Sequence, residues 1–429
     1  NRYIADLSYE ITPDWTVKSV TSLVDTDVSI TTPESSLLIR DDERNGRDFS
    51  HDMRLTYESG DSPFSGVFGV FAGRFTNDLA SDMQLKLDAF GLPGVAIPYQ
   101  LLNATNKTES VAAYADARYR FAERWTAMVG GRVLRDRLSA HYRGMALDEQ
   151  ATLDNFANGI FVPVYGSQDE DNAVSNTVFL PKLGLAVDLT ENQTLAATVS
   201  RGYRAGYSEA VLGTTDVNVV SPEYLWSYDL AYRSKWLDDR LHLNANVFYY
   251  DYSNQQILTY HPSFPGQTVT ANSARSHAYG AELEARWLPT PEFEFFSSIG
   301  LLRTRFDEGS VSIGGVLVDL SGNRFPEAPA VTASVGGIWR HRSGFFAGAD
   351  VSLTGSYYSL GDLENTAARK VDSFALVNAQ LGYESENFSV TAFAKNIFDK
   401  QYLTSIIAPN SQATIGDGRS LGLRISGRF

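Results

Sequence analysis

Apolar and polar residues alternate along most of this chain. From Leu241 to Val247, the odd positions are apolar and the even positions are polar. Because successive side chains of a β-strand point to opposite faces of a sheet, this alternation predicts strands with one apolar and one polar face. We predict about seventeen antiparallel strands on this basis. They span residues 2–11, 16–31, 47–59, 64–77, 109–122, 126–141, 177–190, 194–206, 222–237, 241–258, 276–289, 293–307, 331–341, 345–360, 371–384, 388–402 and 418–429.

The connectors between these strands alternate between short and long. Short polar turns are predicted at residues 191–193, 238–240 and 385–387. The long connectors carry Gly, Pro, Asn and Ser and span residues 32–46, 78–108, 142–176, 207–221, 259–275, 308–324 and 402–417. A soluble β-sandwich shows the same residue alternation, but it has no reason to keep every long loop at one end. The spacing indicates an all-β fold, an antiparallel transmembrane β-barrel of the outer-membrane type with short periplasmic turns and long extracellular loops.

The last predicted strand separates apolar from charged residues most clearly. Leu421, Leu423 and Ile425 fall on one face, whereas Arg424 and Arg428 fall on the other. An arginine that faces lipid at the middle of a bilayer costs roughly 2–4 kcal/mol. We therefore expect both arginines to face a hydrated interior.

Composition supports this fold and excludes several classes of partner. The chain has no apolar run of about eighteen residues, so it offers no candidate transmembrane helix. Its 22 Tyr and 24 Phe suit the aromatic girdles of a barrel. The net charge of −15 argues against a nucleic-acid partner, because phosphate binding needs a basic surface. Acidic runs at residues 41–43 and 168–171 are interpreted as solvated loop segments.

The sequence predicts neither an enzyme nor a cofactor site. Because cysteine is absent, the chain forms neither disulfides nor thiolate metal sites. Its 6 His residues are not at metal-ligand spacing. Residues 418–422 (Gly-Arg-Ser-Leu-Gly) match the nucleophile motif of hydrolases, but that motif needs a strand before it and a helix after it. Here the motif lies inside the final predicted strand.

From about residue 177 onward, the sequence resembles the β-barrel of TonB-dependent outer-membrane receptors; the earlier part matches in pattern only. The segments that carry the resemblance are 180–185 (Leu-Pro-Lys-Leu-Gly-Leu), 200–206 (Ser-Arg-Gly-Tyr-Arg-Ala-Gly), 221–230 (Ser-Pro-Glu-Tyr-Leu-Trp-Ser-Tyr-Asp-Leu), 247–252 (Val-Phe-Tyr-Tyr-Asp-Tyr), 280–284 (Gly-Ala-Glu-Leu-Glu), 377–378 (Val-Asn), 395–402 (Lys-Asn-Ile-Phe-Asp-Lys-Gln-Tyr) and the terminal Phe429.

The resemblance implies a barrel of about 22 strands with a plug folded inside it, and a periplasmic segment on the plug that engages the TonB complex. It also implies a monomer in the outer membrane of a Gram-negative cell, in contact with lipid and lipopolysaccharide. Phe429 would be the signal for the barrel assembly machinery. The chain begins without Met or a signal peptide. We therefore expect residues 1–429 to be an incomplete barrel domain, with the plug and about five strands upstream.

Further strands would also resolve a problem of closure. An odd number of antiparallel strands leaves the first and last strands running in the same direction. An unclosed barrel would expose two bare strand edges to lipid, which is very unfavourable.

Ligand-binding residues are expected among aromatic and polar side chains of the loops and the upper interior, which can grip a large solute. The candidates are Arg201, Tyr203, Arg204, Tyr207, Tyr260, His261, Phe264, Tyr357 and Tyr358. The alternative for the tyrosines is a place in the upper aromatic girdle. Arg204 could attract an anionic chelate, and a structural arginine ladder explains it equally well.

These features favour a TonB-dependent receptor that imports a scarce solute, most often a ferric siderophore in this family. Vitamin B12, haem and oligosaccharides are alternative solutes. A passive porin-like channel is the alternative from another class, and it would have a complete barrel and no plug. A surface adhesin or phage receptor on the same barrel is a third alternative.

Overall fold

The structure is a computed structural model that describes residues 1–32, 38–88, 92–160, 162–211, 213–260, 268–313, 316–408 and 412–427. Nearly all of its regular elements are strands, and the helical elements described are α1 (Glu149–Ala157) and a 3₁₀ turn (Ala367–Arg369). The strands in chain order are β1 (Arg2–Thr12), β2 (Trp15–Thr31), β3 (Leu38–Tyr57), β4 (Phe64–Lys86), β5 (Ala96–Ala122), β6 (Trp125–Leu147), β7 (Tyr165–Thr190), β8 (Gln193–Arg204), β9 (Tyr207–Ala210), β10 (Val217–Val220), β11 (Glu223–Trp236), β12 (Leu241–Tyr260), β13 (Thr268–Thr290), β14 (Phe293–Glu308), β15 (Ser310–Ile313), β16 (Val316–Asp319), β17 (Val331–Arg340), β18 (Phe345–Thr354), β19 (Tyr357–Tyr358), β20 (Lys370–Val371), β21 (Phe374–Glu384), β22 (Phe388–Lys395), β23 (Leu403–Ala408), β24 (Gln412–Ile415) and β25 (Ser420–Gly427).

Within the described residues, the long strands form one 17-stranded sheet, and short strands pair as β9–β10, β15–β16, β19–β20 and β23–β24. Long strands that follow each other in the chain pair antiparallel, as in β1–β2–β3–β4–β5 and β11–β12–β13–β14. At the end of the chain, β25 pairs with β22. The predicted all-β, antiparallel organisation is confirmed.

The chain divides into two compact units. The first comprises Asn1–Tyr119, Met128–Lys182 and Tyr203–Glu223, and the second comprises Arg120–Ala127, Leu183–Gly202 and Tyr224–Phe429.

In each unit, one face of the sheet exposes large hydrophobic side chains. On strands of the first unit, Phe68, Val111 and Val133 are all more than half exposed. On strands of the second unit, Val335 and Leu381 are 58% and 65% exposed. Apolar exposure that recurs from strand to strand is not tolerated on a protein surrounded by water. We call this the apolar face and its reverse the polar face.

The last strand has the two faces that the sequence predicts. Leu423 pairs with Ala392, whereas Arg424 pairs with Thr391. The guanidinium of Arg424 lies 6.0 Å from the ring centroid of Phe393, which also points to the polar face. Leu423 and Arg424 therefore lie on opposite faces, as expected. Arg428 lies outside the described residues.

Aromatic side chains on the polar face lie across glycines of the neighbouring strand. In each case the ring and the glycine are directly opposite each other in the register. A Cβ atom added to any of these glycines would lie 2.3–2.6 Å from an atom of the ring. The pairs are Tyr114–Gly69, Phe248–Gly280, Phe296–Gly336, Phe346–Gly382 and Phe393–Gly422. Glycine is therefore required where a ring lies flat on the sheet.

We expect Gly280→Ala to destabilise the protein by about 1–3 kcal/mol, because overpacking forces both ring and backbone to move. The new methyl group would lie 2.2 Å from the carbonyl oxygen of Leu301 and 2.6 Å from Cζ of Phe248. The free energy of unfolding in lipid vesicles is the measurement. Gly60→Ala is the control, since no atom lies within 4 Å of an added Cβ there. Equal stability of the two variants would contradict the packing argument.

Several predicted long loops are mostly strand. β3 begins at Leu38 rather than at residue 47, β4 continues to Lys86, and β7 begins at Tyr165 rather than at residue 177. The prediction stopped where the apolar alternation stops. Beyond that point, backbone hydrogen bonds between neighbouring strands extend the sheet. The β3–β4 pairing, for example, continues without interruption to Leu38 and Leu85.

The acidic run at residues 41–43 was also misinterpreted as a solvated loop. Asp42 lies in β3 and is 1% exposed. Its carboxylate accepts hydrogen bonds from Ser81 Oγ at 2.6 Å and Arg40 Nε at 2.8 Å, and Arg44 Nη2 lies at 3.2 Å. Residues 168–171 belong to β7 and not to a loop, and Gln168 is buried, whereas the acidic residues 169–171 are exposed to solvent as predicted. A buried carboxylate with three partners is a structural element of this end of the sheet.

Two further elements differ from the prediction. The connector 142–176 contains α1, whose first turn is capped by Asp148 Oδ1 accepting from the backbone N–H of Ala151. The predicted strand 388–402 ends at Lys395, because Asn396 and Asp399 adopt positive φ. The Asn396 side chain accepts from Lys400 N at 2.9 Å and donates to the carbonyl oxygen of Asp417 at 3.1 Å. This side chain holds the turn that replaces the last part of that strand.

The long connectors pack into buried clusters at the ends of the strands. In the first unit the buried residues are Leu102, Ala104, Ala140 and Tyr142, with Ala210 and Val217 packed against them. In the second unit they are Ile257, Phe306, Val311, Leu320 and Leu363. The connectors are therefore folded structures with small cores of their own.

Among the described residues, none of the helices has the length and hydropathy that crossing a membrane as a helix would require.

Candidate functional site

The polar face of the first unit carries a network of charged and aromatic side chains on β3, β5, β6 and β7. Tyr114 Oη donates a hydrogen bond to Asp52 Oδ2 at 2.8 Å, and Lys182 Nζ lies 2.9 Å from Asp116 Oδ2. The guanidinium of Arg132 lies 5.8 Å from the ring centroid of Tyr114, within cation–π distance. These residues are not among the sites predicted from the sequence. Alternation predicts their face, but it does not reveal which side chains on separate strands become partners.

The β9–β10 hairpin is fixed to the strands of the first unit by two buried side chains. Gln100 Nε2 donates to the carbonyl oxygen of Thr214 at 2.9 Å, and Gln100 Oε1 accepts from the N–H of Gly213 at 2.9 Å. Tyr142 Oη donates to the carbonyl oxygen of Ser208 at 2.6 Å. Burial raises the pKa of the Tyr142 phenol. The hairpin is thus an ordered cover on the polar side of this unit.

The predicted residues at the end of β8 divide between the two faces. Arg201 lies with its guanidinium 4.5 Å from the ring centroid of Tyr224. A Cβ atom added to Gly202 would lie 3.4 Å from Cβ of Leu225, on the face of the sheet opposite to Arg201. Because side chains alternate along a strand, Arg204 lies on the same face as position 202, and Tyr203 lies on the same face as Arg201. Arg204 is exposed, and Arg201 and Tyr203 are half-buried. The contact of Arg201 with Tyr224 suits an interfacial aromatic belt, which is the alternative raised for the tyrosines, Tyr203 among them.

Tyr207 begins β9 and pairs with Val220 of β10. Its side chain is half-buried. The hairpin that contains it is the one fixed by Gln100 and Tyr142.

Tyr357 and Tyr358 form β19 and help to join connectors of the second unit. Tyr357 Oη donates to the carbonyl oxygen of Thr404 at 2.9 Å, and burial raises the pKa of this phenol. The carbonyl oxygen of Tyr358 accepts from the N–H of Glu327 at 2.8 Å. Arg369, which was not predicted, makes the same type of link through Nε to the carbonyl oxygen of Ile406 at 3.0 Å. Since such connector contacts follow no periodic pattern, the sequence carried no signal for Arg369.

The remaining predicted residues lie wholly or partly outside the described part of the chain. His261, Phe264 and Phe429 are outside it, and of Tyr260 only the backbone, at the end of β12, is described. Their expected roles stay predictions.

The described side chains suit reversible binding of a polar solute. The network of the first unit brings together a hydroxyl group, carboxylates and cations, and groups of these kinds can contact a hydrated ligand through several weak interactions. In the described ranges, no group of three or more His, Asp or Glu side chains is arranged to hold a metal ion.

Residues 1–397 match the family model for the TonB dependent receptor-like β-barrel. The pesticin receptor of Yersinia enterocolitica is 24% identical over 420 residues, which cover 96% of this chain and 56% of that receptor. The chain thus spans about half the length of the curated relatives it matches.

Two solved structures share the fold. The ferric yersiniabactin uptake receptor FyuA from Yersinia pestis superposes with a TM-score of 0.78 at 21% identity, covering 99% of this chain and 60% of that one. The siderophore receptor PiuA from Acinetobacter baumannii superposes with a TM-score of 0.72 at 17% identity, covering 99% of this chain and 63% of that one.

Proposed function

The chain belongs to the family of TonB-dependent receptors, and we propose that it takes part in the energised uptake of a ferric siderophore. Members of this family are β-barrels of the outer membrane, and this chain is an outer-membrane protein. The family match over residues 1–397 is the observation that carries the proposal. It is supported by relatives that are receptors or transporters rather than enzymes.

The substrate class is the finer part of the proposal. FyuA is named for the uptake of ferric yersiniabactin and PiuA for siderophore reception. In this chain, the polar face carries the cations Arg132 and Lys182 beside the ring of Tyr114, a chemistry that suits a large polar chelate. Vitamin B12, haem and oligosaccharides are the competing solutes.

The architecture that we propose follows from the two faces of the sheet. The apolar face contacts lipid, and the polar face lines a hydrated interior. In the complete receptor, about 22 strands close the barrel around a plug. The plug connects to the TonB complex, and the receptor is a monomer inserted by the barrel assembly machinery, with Phe429 as the assembly signal.

Of the predicted ligand residues, Arg204 and Tyr207 are the described ones that we propose as ligand contacts. Arg204 is exposed on the face opposite to Arg201, and Tyr207 belongs to the ordered β9–β10 hairpin. For Arg201 and Tyr203 we propose a place in the aromatic belt at the membrane interface. His261 and Phe264 stay as proposed contacts of the connector after β12.

The test is growth and iron uptake in a strain that lacks the full reading frame of this receptor. Under iron limitation, the strain should lose most of its radioactive iron uptake from one ferric siderophore in a purified panel, because the route across the outer membrane is missing. Deletion of tonB should cause the same loss, because uptake through a plugged barrel needs energy. A plasmid-borne copy should restore uptake only in cells with TonB.

Two results would contradict the proposal. Unchanged iron uptake combined with a defect on haem, vitamin B12 or a glycan would reject the siderophore. Uptake that is lost without this protein but unaffected by deletion of tonB would indicate a passive channel.

A further inference from the structure

A row of basic side chains crosses the apolar face of the first unit on β4, β5 and β6. Arg74 pairs with Glu109 in the register. On the polar face, Ser110 of β5 donates a hydrogen bond to Asp136 of β6. On the apolar face, the neighbouring Arg137 lies close enough to Glu109 for the two charges to interact. Arg135 lies on the same face of β6, two residues from Arg137. Lys107 lies on the same face of β5, two residues from Glu109, and its Nζ is 2.5 Å from Glu109 Oε1.

This row is exposed and strongly cationic. The side chains of Arg74, Arg135 and Arg137 are all exposed, and Glu109 is the one carboxylate that the register places in the row. The row contains four cations and one anion, although the chain as a whole has a net charge of −15. In the part of the chain that the structure describes, no ion pair involves Arg135 or Arg137. Glu109 is the nearest internal anion, and its single charge is shared among Lys107, Arg74 and Arg137. The row therefore keeps an excess of exposed guanidinium groups that can bind an external anion.

The row also lies at a defined height on the sheet. Val111 and Val133, each two residues from a member of the row, are 56% and 51% exposed. At the other end of β5, Tyr119 is 50% exposed next to a short turn. The ten residues from Glu109 to Tyr119 span about 34 Å along a strand. With a strand tilt of about 40°, this is about 26 Å across the membrane, close to the height of the apolar band of such barrels.

The basic row therefore lies where the apolar band ends, on the side of the long connectors. In an outer-membrane receptor this is the level of the headgroups of the outer leaflet, which consists of lipopolysaccharide with a phosphorylated lipid A. We propose that Arg74, Arg135 and Arg137 form a binding site for the phosphate groups of lipid A. Guanidinium groups suit this role, because they bind phosphate oxygens in a bidentate manner. The inference rests on the outer-membrane location and not on the proposed siderophore.

Lipid A binding to the full-length receptor, purified in detergent, tests the site by native mass spectrometry. Bisphosphorylated lipid A is titrated against the wild type and the double variant Arg135→Gln/Arg137→Gln. We expect roughly a thirtyfold loss of affinity, the effect of removing two surface arginines from contact with anionic lipid. Arg135→Lys/Arg137→Lys should keep most of the affinity, since the charge remains.

The controls separate phosphate recognition from general effects. Arg124→Gln/Arg342→Gln removes two exposed arginines at short turns and should bind lipid A like the wild type. Dephosphorylated lipid A should bind the wild type weakly and the Arg135→Gln/Arg137→Gln variant equally weakly. Inorganic phosphate at millimolar concentration, about 1 mM, should not displace lipid A, because acyl-chain contacts contribute to the affinity of the lipid.

Two outcomes would overturn the proposal: unchanged lipid A affinity of the Arg135→Gln/Arg137→Gln variant, or an equal effect of dephosphorylation on wild type and variant. The heat-dependent shift of the barrel on an electrophoresis gel shows that each variant is folded. Iron uptake by the receptor is measured separately. A loss of lipid A binding without a loss of iron uptake, or the reverse, distinguishes a failure of this site from a failure of the proposed transport.

Discussion

Val335→Arg should lower the free energy of unfolding by about 2–4 kcal/mol, the cost of an arginine that faces lipid at the middle of the bilayer. Val335 is 58% exposed on the apolar face of β17. It lies four residues from Trp339, which is exposed near the short turn after this strand. Four residues correspond to about 10 Å of membrane depth at the usual tilt, so the new guanidinium would lie far from either interface.

The matched control is Ser334→Arg, the same change one residue away on the polar face. Ser334 shares a hydrogen bond of 2.8 Å with Ser298, and losing it should cost about 1 kcal/mol. Urea-induced unfolding in lipid vesicles gives both values for the full-length receptor. Equal destabilisation by the two arginines would mean that the two faces do not differ in their surroundings, and the assignment of lipid to the apolar face would be wrong.

Asp42→Asn should cost about 1.5–3 kcal/mol of local stability, the range for hydrogen bonds to a charged group. The carboxylate is buried, whereas its partners Arg40 and Arg44 keep 24% and 43% of their side chains exposed. Those arginines remain partly solvated after the change, so the loss should stay below that for a fully buried ion pair. Hydrogen–deuterium exchange of residues 38–46 and 77–86 measures this local opening.

The same carboxylate predicts a dependence on pH. Burial alone would raise the pKa of Asp42, but hydrogen bonds from Arg40 and Ser81 and the charge of Arg40 outweigh it and lower the pKa below its usual value. Its stabilisation is therefore complete above the pKa of an unfolded Asp, about 3.9. It is lost as the pH falls through the lower pKa of the folded chain.

Protection of these segments should decrease in acid in the wild type but not in Asp42→Asn. Asp41→Asn is the control, because Asp41 is exposed on the opposite face. If Asp41→Asn removed the acid sensitivity as well, the buried carboxylate would not be its cause.

The fold was predictable because one physical rule operates along the whole chain. A strand between lipid and water must alternate, so Leu423 and Arg424 were assigned to faces from the sequence alone. The same rule could have assigned Arg201 to the apolar face, since the odd positions before it in β8, such as Leu195 and Val199, are apolar. At this position the alternation of the strand is a better guide to the face than the charge of the side chain.

The parts that could not be predicted depend on contacts distant in sequence. The sequence predicts Tyr357 as a ligand contact, and the structure shows that its hydroxyl donates to the carbonyl oxygen of Thr404, 47 residues away. Asp42 was assigned to a loop, because a carboxylate without known partners is expected in water. Its partner Ser81 lies 39 residues away. No local sequence pattern predicts that side chains so far apart in the chain will form a hydrogen bond.

Each aromatic ring that lies on a glycine of the neighbouring strand couples two positions that are far apart in sequence, so that a change at one restricts what is acceptable at the other. At Phe248–Gly280, a larger residue in place of the glycine is acceptable only if the ring becomes smaller in the same lineage. Substitutions at these positions should therefore covary among descendants of one ancestral gene, even where neither residue contacts a transported solute. Such covariation would record how the strands are aligned, and it would persist while the substrate changes.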